Sequence, residues 1–302
     1  MPREEMRPAV ETGYFRFTVG RFDCLAVSDG ALVYGPPDFP PPAPMLYANA
    51  PPAEVDAAVR EAGGPVPWTQ WTSDYTCLLV AVGTRRVLID TGAAGLGPET
   101  GRLVDNLAAA GVRPADIDEV ILTHGHPDHI GGLLDSSGTP LFPAARVFLS
   151  RREWEFWMGG EAQRLLPAQA AALLVGFARK VLPVIEDRVE LVDEEAELLP
   201  GVHCLPAPGH TPGHLALELS SRSERLLVVA DAVLHPLHVA HPAWHAMFDA
   251  DPVSLRETRE RLLARAAADS CLVHAFHFPF PGLGRVTSDD SAWRWTSIAE
   301  PA

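Results

Sequence analysis

The chain has 302 residues, enough for one large domain or two small ones. Hydrophobic residues make up 47% and charged residues 21%, the balance of a globular enzyme with a sizeable core rather than of a disordered or fibrous chain. Its 39 Asp and Glu against 24 Lys and Arg give a formal charge of -15, which serves solubility and disfavours a nucleic-acid partner by repelling phosphate.

Residues 1–13 read as an N-terminal tail without the apolar stretch of a secretory signal, and no uninterrupted apolar run reaches the roughly 18 residues that span a membrane. Cys24, Cys77, Cys204 and Cys271 lie far apart and read as buried thiols, not as a disulfide framework. The expected location is the cytoplasm, with no membrane partner.

Residues 14–29 alternate apolar and polar positions around Gly20-Arg21, which predicts two short strands. The proline-rich stretch 34–52 lacks amide donors and reads as a surface excursion. A short helix is expected over 53–62, then a hairpin over 76–92 turning at Gly83-Thr84 and ending in Asp90-Thr91-Gly92. A helix over 98–110 ends at Gly111, and the apolar strand 119–123 runs straight into His124. A strand near 146–149 precedes helices near 151–158 and 168–179, the second a candidate lid. Further strands are expected at 202–206, 214–220 and 225–230, then a helix at 252–267 and a strand at 271–275. Two such runs suggest two sheets packed face to face with helices outside, within one domain spanning 1–302.

All 12 histidines lie at or after position 124, and three of them fall within six residues beside Asp128. Imidazole and carboxylate alternating at a strand end can converge on one point and suit zinc or another divalent transition metal.

Thr123–Gly132 (THGHPDHIGG) resembles the H-x-H-x-D-H signature of the metallo-β-lactamase superfamily. The Asp-Thr-Gly at 90–92, PGHTPGH at 208–214, VVADAVL at 228–234 and HAFHFPFPG at 274–282 follow in that superfamily's order. The flavour is closest to the methyl parathion hydrolase and lactonase branch, from about residue 13 onward, with 235–245 unmatched. The resemblance implies a four-layer αββα sandwich of the α/β (α+β) class, with two mixed sheets and outer helices. It assigns His124, His126 and His210 to one metal, Asp128, His129 and His277 to a second, and Asp231 to both. His274 lies three residues before His277, so in a strand only one of the two would face the site.

The implied cofactors are two divalent ions, zinc foremost, with manganese, cobalt and iron also accepted by such ligands. The implied reaction is hydrolysis of a small, largely apolar ester-like substrate (a lactone, aryl ester or phosphotriester) by a metal-bridging hydroxide, with Asp128 and Asp231 as catalytic carboxylates. A thioesterase of the glyoxalase II type and a β-lactamase are the alternatives, and a non-catalytic metal-binding protein is the alternative of another class. Asp90 is expected to orient a ligand histidine. His214 and His274 are candidates near the site, and Trp154 with Trp157, at i and i+3, are candidates for an apolar pocket wall. His235, His238, His241 and His245 are expected in a solvated loop. Oligomeric state is open, and the resemblance allows a homodimer.

Overall fold

A computed structural model describes residues 13–193, 195–288 and 292–298, so all but Gly13 of the expected tail lies outside the described residues. The predicted alternation becomes a first sheet of seven strands. These are β1 (Tyr14–Val19), β2 (Phe22–Tyr34), β3 (Trp71–Val82), β4 (Arg85–Ile89), β5 (Glu119–Ile121), β6 (Arg146–Ser150) and β7 (Val189–Val192), in spatial order of sequence. The second sheet comprises β8 (Ala196–Leu199), β9 (Val202–Pro206), β10 (Leu215–Ser221), β11 (Glu224–Val228), β12 (Leu272–His274), β13 (Leu283–Ser288) and β14 (Trp293–Ser297). Both sheets are mixed: β4 to β7 are parallel in the first, and β11 with β12 in the second.

The helices are α1 (Pro42–Leu46), α2 (Pro52–Glu61), α3 (Leu103–Ala109), α4 (Pro127–Ile130), α5 (Arg151–Met158), α6 (Glu161–Leu165), α7 (Ala168–Val181), α8 (Leu237–Ala240) and α9 (Pro252–Asp269). Three apolar layers hold the sandwich. Ala26, Leu78, Val80, Ile121 and Phe148 of the first sheet meet Cys204, Leu217, Leu226 and Val228 of the second. The first sheet's other face packs on α3, α5 and α7, and the second sheet's other face on α9. This is the expected αββα arrangement.

Several local expectations change. The helix expected from 98 starts only at Leu103, because Asp29 holds the preceding loop open by accepting from the N–H groups of Ala93, Gly101 and Leu103. Gly111 follows that helix at φ +84, the left-handed conformation a helix end favours. The proline-rich stretch is not a simple surface excursion. Pro42 sits in the first turn of α1, where its missing N–H costs nothing, and Met45, Leu46 and Tyr47 are buried against Trp71, Leu237 and Trp244. By length and composition alone the segment Ala168–Arg188 is apolar enough to cross a bilayer, although Arg179 and Lys180 keep it from being an uninterrupted apolar run. Its Ala171, Val175, Ala178 and Val181 pack into the first sheet's outer core, so α7 is a layer helix and not a lid.

Candidate metal centre

The parallel strands deliver their chemistry at their C-terminal ends. Asp90 follows β4, His124 follows β5, Asp231 follows β11 and His277 follows β12. The Pro-Gly-His-Thr-Pro turn between β9 and β10 adds His210. Backbone strain marks two of these exits, since Asp90 (φ 59) and Ala230 (φ 42) occupy the left-handed region without being glycine.

Seven side chains converge in two adjoining groups that could each hold an ion. His124, His126, His210 and Asp231 form one, and Asp128, His129 and His277 the other, with the ligand atoms of each group within 4.8 Å of one another. Asp231 lies between them. Its Oδ2 is 3.3 Å from His210 Nε2 and 3.1 Å from His277 Nε2, and its Oδ1 is 3.2 Å from His129 Nε2. Six of the seven are buried, and Asp128, with its side chain 15% exposed, is the one open to a substrate.

The outward ring nitrogens have partners that aim the inward ones. His129 Nδ1 lies 2.9 Å from Asp90 Oδ2, and Asp90 also accepts from the Thr123 N–H and hydroxyl. His210 Nδ1 lies 2.7 Å from Asp249 Oδ1, and His277 Nδ1 lies 2.8 Å from the Ser73 hydroxyl. His214 Nε2 accepts from the Asp231 N–H at 3.1 Å, so it supports the backbone beside the carboxylate and is not among the seven.

The inward edges of these rings crowd together. His126 Nδ1 stands 3.0 Å from His124 Nε2 and 2.9 Å from His210 Nε2, three nitrogens crowded about one point. Burial and the neighbouring histidines hold the pKa values of His124 and His126 well below the usual range. Burial also opposes charge on His129 and His210, but the carboxylates of Asp231, Asp90 and Asp249 outweigh it and raise both. Asp231 is lowered well below the carboxylate range despite burial, because His277, His129 and His124 face it. His129 Nε2 and Asp231 Oδ1, 3.2 Å apart, are buried without a hydrogen-bond partner among the described residues. Orphaned buried atoms of this kind are costly, and a bound cation satisfies them.

Other expectations move. Trp154 and Trp157 do not form a pocket wall together. The buried face of α5 is Glu153, Phe156 and Trp157, while Trp154 is half-buried against the core. Trp157 backs His126 at 5.4 Å between ring centroids. His274 is buried and belongs to neither donor group, with neither ring nitrogen hydrogen-bonded among the described residues. The histidines after Asp231 are not a solvated loop. His235 Nδ1 faces the Tyr47 hydroxyl at 2.7 Å and accepts from the Leu237 N–H, and burial pushes its pKa down to about 3. His238 is fully buried and meets the Leu46 carbonyl at 3.0 Å, and His241 stacks on Trp244 at 3.8 Å. The buried Arg259 of α9 ties this segment down through the carbonyls of Ala232 and Pro242, with its pKa lowered by burial to about 10.

Sequence reasoning missed Asp249, Ser73, Glu153, Arg259 and the aromatic surround. Tyr34 stacks on Trp71 at 5.2 Å, Trp71 and Tyr75 lie 6.2 and 5.4 Å from His277, and Phe248 lies 5.8 Å from His210. One signal was available for Glu153: it shares the i, i+3, i+4 face with Phe156 and Trp157, an odd place for an unpartnered carboxylate.

Comparison with known proteins agrees with this geometry. An N-acyl homoserine lactonase of Bacillus cereus is 28% identical over 132 residues, 43% of this chain and 44% of that protein. A beta-lactamase-like protein 2 homolog of Drosophila melanogaster is 31% identical over 166 residues, 55% of this chain and 48% of that protein. The chain thus spans about half the length of these curated relatives, or less. Among solved structures, AidC, described as a dizinc quorum-quenching lactonase, superposes with a TM-score of 0.86 at 25% identity, covering 95% of this chain and 98% of that one. The hydrolase AbOPH superposes at 0.85 with 28% identity, covering 97% and 100%. The family model described as the metallo-beta-lactamase superfamily matches residues 73–274, and with the fold and the histidine motif in place the chain belongs to that superfamily.

Proposed function

We propose that the protein is a dinuclear metal-dependent hydrolase of small, apolar ester-like substrates, with lactones the first choice. The observation that carries this reading is the pair of adjoining donor groups sharing Asp231, whose inward His129 Nε2 and Asp231 Oδ1 face each other with no hydrogen-bond partner among the described residues. His124, His126 and His210 would hold one ion, Asp128, His129 and His277 the other, and Asp231 would touch both. When bound, two such ions, zinc foremost and manganese, cobalt or iron as substitutes, supply Lewis acidity and water acidic enough to ionise near neutral pH.

The protein's own residues do the rest. Asp90, Asp249 and Ser73 lock three rings, so the inward nitrogens need little rearrangement when charge develops. Asp128, the most open of the seven, is placed to accept the proton of the attacking water and to hold its oxygen in line. Trp71, Tyr34 and Phe248 exclude water beside the site and present apolar surface. An uncharged substrate with an apolar arm suits this wall. Lactones are preferred over aryl esters and phosphotriesters because lactonases recur among the relatives and the structural neighbours.

The test is initial rates for zinc- and manganese-loaded protein on lactones, aryl esters, phosphotriesters, β-lactams and thioesters, with Asp231→Ala as blank. Lactone turnover that vanishes in the variant is expected. Rates equal to the blank on every substrate would sink the hydrolase reading, and dominant turnover of another class would displace the lactone.

A further inference from the structure

A carboxylate outside both donor groups joins the two loops that carry the first of them. Glu153 of α5 is fully buried and accepts from four donors. Its Oε1 takes the Gly125 N–H at 2.8 Å and the Trp157 indole N–H at 2.6 Å. Its Oε2 takes the Thr211 hydroxyl at 2.7 Å and the Gly213 N–H at 3.1 Å. Gly125 stands between His124 and His126, and Thr211 directly follows His210. One oxygen therefore holds the loop after β5 and the indole that backs His126, while the other holds the turn before β10.

Three of the four donors are N–H groups that cannot accept, so the arrangement favours the ionised carboxylate. Burial pushes its pKa up, and these same four contacts offset only part of that rise. Burying an anion costs several kcal/mol unless its hydrogen bonds are complete, and four donors from three chain segments complete them here. The second donor group has no comparable link to Glu153; its rings rest on Asp90 and Ser73.

We propose that Glu153 is a positioning residue that sets the spacing of the loops bearing His124, His126 and His210, and so the affinity of that group for its ion. The group of Asp128, His129 and His277 depends on it far less. The inference rests on the two-metal reading above. A glutamine at 153 would keep the shape, but its amide nitrogen cannot accept, so one of the two loops would lose its anchor.

The test measures zinc affinity at both positions by competition with a chromophoric chelator, and assigns each position by zinc anomalous scattering in crystals at limiting metal. Wild type, Glu153→Gln, Thr211→Val and Ser73→Ala are compared. In Glu153→Gln one affinity should fall on the order of 10- to 100-fold, at the His124, His126 and His210 position, with the other nearly unchanged. Thr211→Val should show a smaller loss at the same position, and Ser73→Ala the opposite pattern. Equal losses at both positions in Glu153→Gln, or a lowered melting temperature with both affinities intact, would overturn the inference. If Glu153→Gln does not fold, Thr211→Val and Trp157→Phe decide, and wild-type affinities in both would overturn it. Wild-type protein that binds no zinc would instead overturn the two-metal reading, and the inference with it.

Discussion

His210 and Asp249 meet with 2.7 Å between Nδ1 and Oδ1, and both side chains are closed off from solvent. Asp249 Oδ2 also accepts from the Ala246 N–H at 2.6 Å, so the carboxylate is itself fixed before it fixes the ring. Asp249→Asn keeps the volume and removes the charge. Its zinc affinity and its kcat/KM should each fall on the order of 10- to 100-fold. Unchanged metal content, measured by mass spectrometry after dialysis, would refute this.

Removing metal should lower stability as well as abolish turnover, because Asp231 Oδ1 and His129 Nε2 then stay buried and unsatisfied. Returning zinc at 100 times its Kd should restore about 2.7 kcal/mol, seen as a rise in Tm. The Asp231→Ala protein should show little of that rise. A zinc-dependent shift as large as wild type would place the ions elsewhere.

Gly125 is small because Trp157 leaves no room beside it. A Cβ there would lie 2.4 Å from the indole nitrogen that Glu153 holds. Gly125→Ala should cost roughly 1–3 kcal/mol and lower zinc content, since the residue is flanked by two proposed ligands. Gly176, in the middle of α7, has open space around the same atom, and Gly176→Ala should stabilise by roughly 0.5–1 kcal/mol. Chemical denaturation of the pair separates the two effects.

Burial holds the His274 pKa at about 3, against 6.5 for the free side chain. The unfolded chain therefore takes up a proton below about pH 6.5 that the folded chain refuses until about pH 3. The stability associated with neutral His274 is present at pH 7 and is lost as pH falls through that window. In metal-free protein near pH 5, His274→Leu should flatten the pH slope of unfolding free energy by about 1.4 kcal/mol per pH unit. Identical slopes in urea titrations of the two proteins would refute the assignment.

The sequence carried the motif-borne part of the site because His124, His126, Asp128 and His129 fall within six residues, where local spacing alone brings them together. Asp249, Ser73 and Glu153 had no such local signature. Each is a single polar residue whose meaning depends on a partner dozens of positions away. The strands from β1 to β6 and from β9 to β12 followed from alternation and turn residues. The four-residue β7 and β8 were too short for a period to emerge. The proline-rich stretch and the histidines after Asp231 were both read as exposed by composition. In the fold they cover each other, with Tyr47 against His235 and His238, a reciprocity no window of sequence displays.

The two sheets run in mirrored order, and each donor group draws on both. Residues up to β7 supply His124, His126, Asp128 and His129, while residues beyond it supply His210, Asp231 and His277. A chain truncated between the sheets would thus keep four of the seven groups yet complete neither ion's cage. Loss of the C-terminal half should leave a fragment without hydrolytic competence, not one with half of it.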